Sequence, residues 1–156
     1  MFSNLMMLVL SAAALVAFAS IKRIPEGTVY TLRRFNGQGR TLQPGTHLVW
    51  PLLERVVHRI SLAGHALNLD ESMPLANTLC RLNGKVYWQV IDAERADALI
   101  DNADELIRSR TLNAVRGVEN PADEALEARN ARLKSTLNEA LRERGIVVTR
   151  VQLTLL

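Results

Sequence analysis

The chain has only one cysteine, Cys80, so it cannot form an intramolecular disulfide, and cysteine usage leaves the redox compartment undetermined. Cys80 lies in a strand-like segment, where we expect a buried apolar side chain rather than a reactive thiol. A thiol-dependent enzyme stays an alternative, because the histidine partner that it requires would come from a tertiary contact that the sequence does not show.

The sequence also lacks the patterns that metal binding, phosphate binding and catalysis require. His47, His58 and His65 do not have the spacing of metal ligands, and a single thiol cannot build a structural zinc site. The segment Gly37-Gln38-Gly39 has neither the third glycine nor the following helix of a phosphate-binding loop. No serine lies in a nucleophile elbow. These absences predict a protein that is not an enzyme, with no catalytic residue, no metal and no cofactor.

Charge of either sign is absent from the first 21 residues and uneven after them. Over the whole chain 19 Lys and Arg oppose 16 Asp and Glu, a net charge of +3. Residues 22–60 alone carry +5, which leaves −2 for residues 61–156. We expect this basic belt to face anionic membrane lipids. Nucleic acid is not an expected partner, because the basic residues alternate with apolar strand positions instead of clustering on a helix.

The uncharged segment from Phe2 to Ile21 is long enough to cross a membrane. In a helix it would span about 30 Å, the thickness of the hydrocarbon core of a bilayer. Lys22 and Arg23 follow at once and no basic residue precedes the segment, so the positive-inside rule places its C-terminal side in the cytoplasm. The sequence therefore predicts a transmembrane anchor over residues 1–21 and a cytoplasmic domain over residues 22–156.

A cleaved signal peptide is the alternative interpretation of this segment. Ala17-Phe18-Ala19 before Ser20 has the small-x-small form of a cleavage site. Cleavage near Ala19 would release a soluble binding module on the other side of the membrane. The absence of a basic n-region and the length of the apolar stretch favour retention as an anchor.

Short apolar runs between turn residues predict antiparallel strands in the first half of the domain. The expected strands are Thr28–Leu32, a return strand from Arg40, Arg55–Leu62, Leu67–Leu69 and Leu79–Ile91. Turns are expected at Asn36–Gly39 and at Pro44-Gly45, and Gly84 suggests a bulge or bend. A last strand from Ile146 should place four residues on one face: Val147, Thr149, Val151 and Leu153.

Helical patterns lie between the last two of these strands. Asp92 is expected to cap a helix that extends to Ile100, and a second helix is expected over residues 104–116. The third helix is predicted to begin at Pro121, with Asn120 as its cap, and to end before Gly145. Its leucines form one stripe suited to packing on a sheet, with Arg129 largely off it: Leu126, Leu133, Leu137 and Leu141.

Taken in order, these segments resemble the stomatin/prohibitin/flotillin family, also called band 7 or SPFH proteins. The most specific likeness is the segment Leu42–Val56, whose sequence LQPGTHLVWPLLERV is similar to a family pattern with a Pro-Gly turn, an apolar run and a second proline. Further likenesses lie at residues 24–35, 84–93, 110–117 and 137–153, so the resemblance covers residues 22–154.

The resemblance implies an α+β fold, in which a single N-terminal transmembrane helix precedes antiparallel strands with packed helices. It also implies a non-enzymatic membrane scaffold that forms homo-oligomers and organises membrane microdomains or regulates a membrane protease. The chain departs from the family pattern at residues 73–80. The sequence also ends at Leu156 without the long coiled coil that usually closes such assemblies, so we expect modest lateral contacts rather than large cages.

An apolar run in the basic half of the chain is the expected membrane-contact site. Its tryptophan is amphipathic, as residues at membrane interfaces often are, and its proline interrupts a strand ladder. The alternative is that most of these side chains belong to the core. The candidate residues are Leu48, Val49, Trp50, Pro51, Leu52 and Leu53, together with Lys22 and Arg23.

Overall fold

The computed structural model describes residues 2–50, 53–75, 78–117 and 124–156. The chain forms two compact units, Met1–Ser61 and Leu62–Leu156, and the boundary between them lies inside the segment that the sequence predicts as one domain. Helices and antiparallel sheets occur together, which confirms the predicted α+β class.

The first unit begins with helix α1, Phe2–Ser20. Within it, Ser3–Ser20 is long and apolar enough to cross a membrane, with a mean hydropathy of 1.8. From Ser3 to Ala19 the side chains are exposed, and charged residues are absent from the helix. A helix that is apolar on every side requires lipid or a protein partner around it, since water solvates such a surface poorly. The helix ends one residue before the predicted limit, because Ile21 begins a strand.

Two small sheets complete this unit. Strand β1, Ile21–Ile24, pairs antiparallel with β4, Gly45–Leu48. Strand β2, Thr28–Arg34, is the central strand of the second sheet, between β3, Gly39–Leu42, and β5, Glu54–Ser61. The predicted hairpin turn between β2 and β3 is confirmed, and Gly37 in this turn has a φ of +83°, a conformation that favours glycine. Strands β1 and β4 were not predicted.

The core of the first unit lies beneath these strands. Four buried apolar residues come from four different segments and are covered by two half-buried side chains, so they connect β1, β2, β3 and the chain after β4. The buried residues are Ile24, Leu32, Leu42 and Val49, and Tyr30 and Val56 pack against them.

The second unit is built on a three-stranded antiparallel sheet of order β6-β7-β8. Its strands are β6, His65–Leu75, β7, Thr78–Val90, and β8, Ile146–Leu155. Strand β6 is much longer than the predicted Leu67–Leu69, because its acidic residues are paired. Asp70 accepts two hydrogen bonds from Arg81 of β7, and Glu71 accepts one from Arg108.

Gly84 permits close contact between β7 and β8, and the predicted bulge lies elsewhere. Its φ is +146°, and a Cβ at this position would lie 2.0 Å from the carbonyl oxygen of Gln152. The bulge instead interrupts the ladder where Tyr87 pairs with Arg150 but Trp88 pairs with Val148, which leaves Thr149 as the extra residue.

This bulge reverses the alternation of β8, so the predicted face was wrong in its first half. Ile146 and Val148 are buried before the bulge, and Val151 and Leu153 are buried after it. Thr149, which the sequence placed with Val151, is exposed.

The helices of the second unit lie between β7 and β8 in the chain. They are α2, Ala93–Ala96, α3, Ala103–Arg116, and α4, Leu126–Leu141, with 3₁₀ turns at Ile100–Asn102 and Arg142–Arg144. Asp92 caps α2 as predicted, but α2 ends well before Ile100. Helix α4 begins at Leu126 rather than at Pro121, and both Asn120 and Pro121 lie outside the described residues.

Helix α4 packs on β8 through the predicted stripe, with two exceptions at its first turns. Leu133, Leu137 and Leu141 are buried, whereas Leu126 is half-exposed. Arg129, which was predicted to lie off the stripe, is buried and donates a hydrogen bond to the backbone carbonyl of Glu124. The apolar face therefore starts later in the helix than the leucine spacing suggests.

Candidate membrane-contact site

The end of α1 is attached directly to the apolar run predicted to contact the membrane. The backbone amide of Val49 donates a 2.7 Å hydrogen bond to the carbonyl oxygen of Ser20, the last residue of α1. In the adjacent ladder Ile21 pairs with Leu48. These contacts place Leu48 and its neighbours next to the point where the apolar helix ends.

Three of the predicted contact residues present large apolar surfaces. Leu48, Trp50 and Leu53 are 58%, 56% and 59% exposed. Val49 is the exception and requires a correction, because it is only 4% exposed and belongs to the core of the first unit. Alternation along the chain explains this difference, since neighbouring residues in an extended segment point to opposite sides. Pro51 and Leu52 lie outside the described residues.

The structure adds Phe35, which sequence reasoning did not select. Phe35 follows β2 at the hairpin turn and is 96% exposed. Its backbone amide donates a 3.1 Å hydrogen bond to the carbonyl oxygen of Leu53, so the turn and the apolar run lie side by side. The sequence signal for Phe35 was an aromatic residue that directly follows Arg33-Arg34 and precedes a glycine turn. Its position beside Leu53 depends on the pairing of β2 with β5 and is not visible in the sequence.

A groove of about 480 Å³ lies between the turn and the apolar run, and we call it the foot groove. Its walls are mostly apolar and aromatic, and its polar groups come from three residues of the first unit. Foot-groove residues are Arg34, Phe35, Asn36, Trp50, Leu53 and Glu54. A second groove adjoins it and shares four of these residues, with Arg33, Arg55, Val56 and Val57 completing its lining.

Glu54 is the most buried charged group of the foot groove. Its side chain is 4% exposed and accepts a 2.8 Å hydrogen bond from Nε of Arg34, while a guanidinium nitrogen of Arg40 lies 3.9 Å away. Both arginines are about half-exposed, so they hold the carboxylate from the solvent side. A buried carboxylate requires such partners, since an unpaired charge is costly to remove from water.

The predicted basic contacts lie on β1, at the start of the folded part of the first unit. Lys22 and Arg23 are exposed, and they pair across the ladder with His47 and Thr46. Only Ile21 separates α1 from Lys22, so these charges lie within reach of lipid headgroups if α1 spans a bilayer.

The remaining candidates for chemistry do not form a second site within the described part of the chain. Cys80 is partly buried rather than fully buried and lies opposite Met73 in the β6–β7 ladder. His65 stacks on Trp88 with ring centroids 4.5 Å apart. Among the described residues, groups of three or more His, Cys, Asp or Glu with an arrangement suited to a metal ion are absent.

Comparison with known families covers nearly the whole chain after α1. Residues 22–155 match the model of the SPFH domain / Band 7 family. The chain belongs to this family. Members of the SPFH/Band 7 family are generally membrane-associated, oligomerising scaffolds rather than enzymes. The family assignment confirms the resemblance inferred from the segment Leu42–Val56 and its neighbours.

A curated relative shows how far the similarity extends. The chain is 28% identical over 98 residues to an uncharacterized protein of Schizosaccharomyces pombe. The matched region is 62% of this SPFH chain and 28% of the length of that relative. The chain therefore spans well under half of the curated relative that it matches.

Proposed function

We propose that this SPFH protein is a single-pass, non-enzymatic membrane scaffold whose folded units lie on the cytoplasmic face. It forms homo-oligomers in the bilayer and there organises membrane microdomains or regulates a membrane protease. The observation that carries this proposal is the hydrogen bond between Val49 and Ser20, which holds an exposed aromatic and apolar surface at the end of a helix suited to span the membrane.

Orientation follows from the charges beside the helix. Lys22 and Arg23 follow α1 after the single residue Ile21, so the positive-inside rule favours a cytoplasmic position for the residues after them. Retention of α1 agrees with its length, because 19 helical residues span roughly 28 Å.

The foot groove and its rim suit the interface of a bilayer. Phe35 and Trp50 are exposed aromatic residues, and Arg33 and Arg34 precede Phe35 in the chain. Aromatic side chains concentrate where hydrocarbon meets headgroups, and nearby arginines attract anionic lipids with about 1 kcal/mol each. Contact of this surface with the bilayer would restrict the orientation of the first unit.

Oligomerisation in the membrane has a source in α1 itself. The helix contains Ser11-Ala12-Ala13-Ala14, and small residues allow two helices to approach closely in lipid. Confinement of neighbouring copies to one plane raises their effective concentration, much as linking two modules does. Weak lateral contacts can therefore support assembly in the membrane that would be absent in dilute solution.

Chemical cross-linking of the full chain in its native membrane tests the scaffold. We expect a ladder of multiples of the monomer, and a mild-detergent pull-down of the cross-linked species should contain a membrane protease if the regulatory role is correct. A membrane sample with only monomer would remove the scaffold proposal. N-terminal sequencing of the mature protein is the companion measurement, because a new terminus at Ser20 would instead identify an exported binding module.

A further inference from the structure

One oxygen of the buried Glu54 carboxylate has no hydrogen-bond donor in the described part of the chain. Oε1 is held by Arg34, whereas Oε2 is shielded from solvent and without a partner. A buried acceptor of this kind is costly, because the water that would have bonded to it has been removed. An ordered donor at this position would recover that free energy.

The surroundings of Glu54 indicate which donor fits. Phe35 and Trp50 line the same foot groove, and aromatic faces attract a cation through their quadrupole. A carboxylate that lines a groove together with two aromatic residues suits an ammonium group that still carries an N–H. A neutral apolar ligand would leave the carboxylate oxygen unsatisfied, and an anion would be repelled by it.

The adjoining groove supplies the opposite charge. Arg33 and Arg55 are direct cross-strand partners in the β2–β5 ladder, and both are exposed. Like charges directly opposite each other destabilise a sheet unless an anion lies between them. Arg33 and Arg55 line the second groove together with Arg34 and Glu54, so a site for an anion adjoins a site for a cation.

We propose that these two grooves bind the headgroup of phosphatidylethanolamine: the Glu54 carboxylate turns its unpaired Oε2 towards the ammonium, and Arg33 and Arg55 hold the phosphate. The inference rests on the proposed function, since a lipid headgroup reaches the grooves only if the end of α1 lies at the bilayer surface. The hydrogen bond from Val49 to Ser20 holds the apolar run at the end of α1. Trp50 and Leu53 of this run line the foot groove.

The test uses the full chain reconstituted in nanodiscs that contain equal amounts of phosphatidylethanolamine and phosphatidylcholine with the same acyl chains. After a delipidating detergent wash, mass spectrometry gives the ratio of the two lipids that stay bound. We expect about tenfold enrichment of phosphatidylethanolamine, because a hydrogen bond to a charged group is lost when the ammonium has no N–H. The N-methyl and N,N-dimethyl lipids keep an N–H, so the largest fall should come at the last methylation.

Variants separate the two halves of the site. Glu54→Gln should abolish the enrichment, whereas Glu26→Gln, which removes an exposed glutamate of the same unit, should not change it. Phe35→Ala should lower the amount of both lipids and leave their ratio unchanged, because an aromatic ring attracts either headgroup cation, and the fold should be unaffected because Phe35 is almost fully exposed. Arg33→Gln with Arg55→Gln should lower the amount of both lipids and leave their ratio unchanged.

Equal retention of the two lipids by the unmodified protein would overturn this inference, and so would enrichment that survives Glu54→Gln. The lipid comparison on the unmodified protein needs no variant, so a poorly folding Glu54→Gln protein would not prevent a decision. Resistance of the full chain to alkaline extraction from membranes is measured separately. A protein that stays in the membrane but shows no headgroup preference would contradict the lipid site alone and leave the anchored scaffold intact.

Discussion

The carbonyl oxygen of Ser20 accepts a 2.7 Å hydrogen bond from the backbone amide of Val49, and both residues are buried. The last carbonyl groups of a helix have no partner within the helix, and Val49 provides one. The hydroxyl of Ser20 turns back to donate a 2.7 Å hydrogen bond to the carbonyl oxygen of Val16. The carbonyl oxygen at the end of α1 is therefore bonded to Val49 rather than to water. This hydrogen bond connects the helix to the apolar run.

The neighbours Val49 and Trp50 should respond oppositely to truncation. Val49→Ala removes buried side-chain atoms from the core and should lower the free energy of unfolding by about 2 kcal/mol. Trp50→Ala removes a side chain that is more than half exposed and should change that free energy by less than about 1 kcal/mol. Denaturant unfolding of the full chain in detergent micelles measures both. A loss of several kcal/mol for Trp50→Ala would favour a core role for this tryptophan.

Orientation in the membrane should follow the two basic residues after α1. In sealed vesicles of known sidedness, protease added on the cytoplasmic face should digest the folded units, and protease on the opposite face should leave them whole. Ser3→Arg and Asn4→Lys combined with Lys22→Gln and Arg23→Gln should invert or mix the orientation. Exchange of the two basic residues, Lys22→Arg with Arg23→Lys, keeps the charge and should keep the orientation. Digestion of the original protein from the non-cytoplasmic face would contradict the assignment.

Gly84 should tolerate no side chain. Gly84→Ala would place a Cβ 2.0 Å from the backbone carbonyl oxygen of Gln152 at a φ of +146°, so strands β7 and β8 would have to separate. We expect a loss of about 3 kcal/mol in the free energy of unfolding. Gly39→Ala is the matched control, since the position opens onto free space and should be nearly neutral. Equal stability of the two variants would show that β7 and β8 are not so close at Gly84.

The start of α4 should make stability depend on pH. Glu124 accepts hydrogen bonds of 2.9 and 2.8 Å from Arg132, which also donates to the carbonyl oxygen of Ala114 in α3. The hydrogen bond from Arg132 holds the pKa of Glu124 below its ordinary value. A lowered folded-state pKa means that the stabilisation is complete above the ordinary glutamate pKa and is lost as the pH falls through the folded value.

Acid titration of unfolding tests this contact. Glu124→Gln should make the free energy of unfolding depend less on pH below the ordinary pKa of glutamate. Near neutral pH, the dependence of this free energy on pH should change little. Asp70→Asn is the comparison, because Arg81 lowers the pKa of Asp70 in the same way but on an exposed part of the sheet. An unchanged acid slope in Glu124→Gln would show that the contact does not form in solution.

The sequence was sufficient for elements whose determinants are local. Helix α1, strand β2, the turn at Gly37 and the cap at Asp92 each depend on residues that lie within a few positions of one another. The length of β6 was underestimated because its acidic residues are tolerated only through arginines that come from β7 and α3. Pairings of this kind depend on the tertiary fold and leave no local pattern.

The faces of β8 and the membrane-contact site show the same limit. An alternating pattern cannot reveal that Thr149 is an extra residue, since the bulge is defined only by pairing with β7. For the apolar run, composition identified the segment, but the burial of Val49 beside the exposed Trp50 depends on the core that β1 to β3 form. Phe35 was overlooked because its neighbour Leu53 is distant in the sequence.

The position of Trp50 in the bilayer tests the central claim most directly. A Trp88→Phe variant leaves Trp50 as the single tryptophan, because the chain has two. In vesicles of the full chain, its fluorescence should be quenched most strongly by lipids brominated near the headgroup and less by lipids brominated deep in the acyl chain, as expected for an interfacial aromatic residue. If the fluorescence intensity of Trp50 were the same in brominated and in unlabelled lipids, Trp50 would lie away from the membrane. That result would contradict the account.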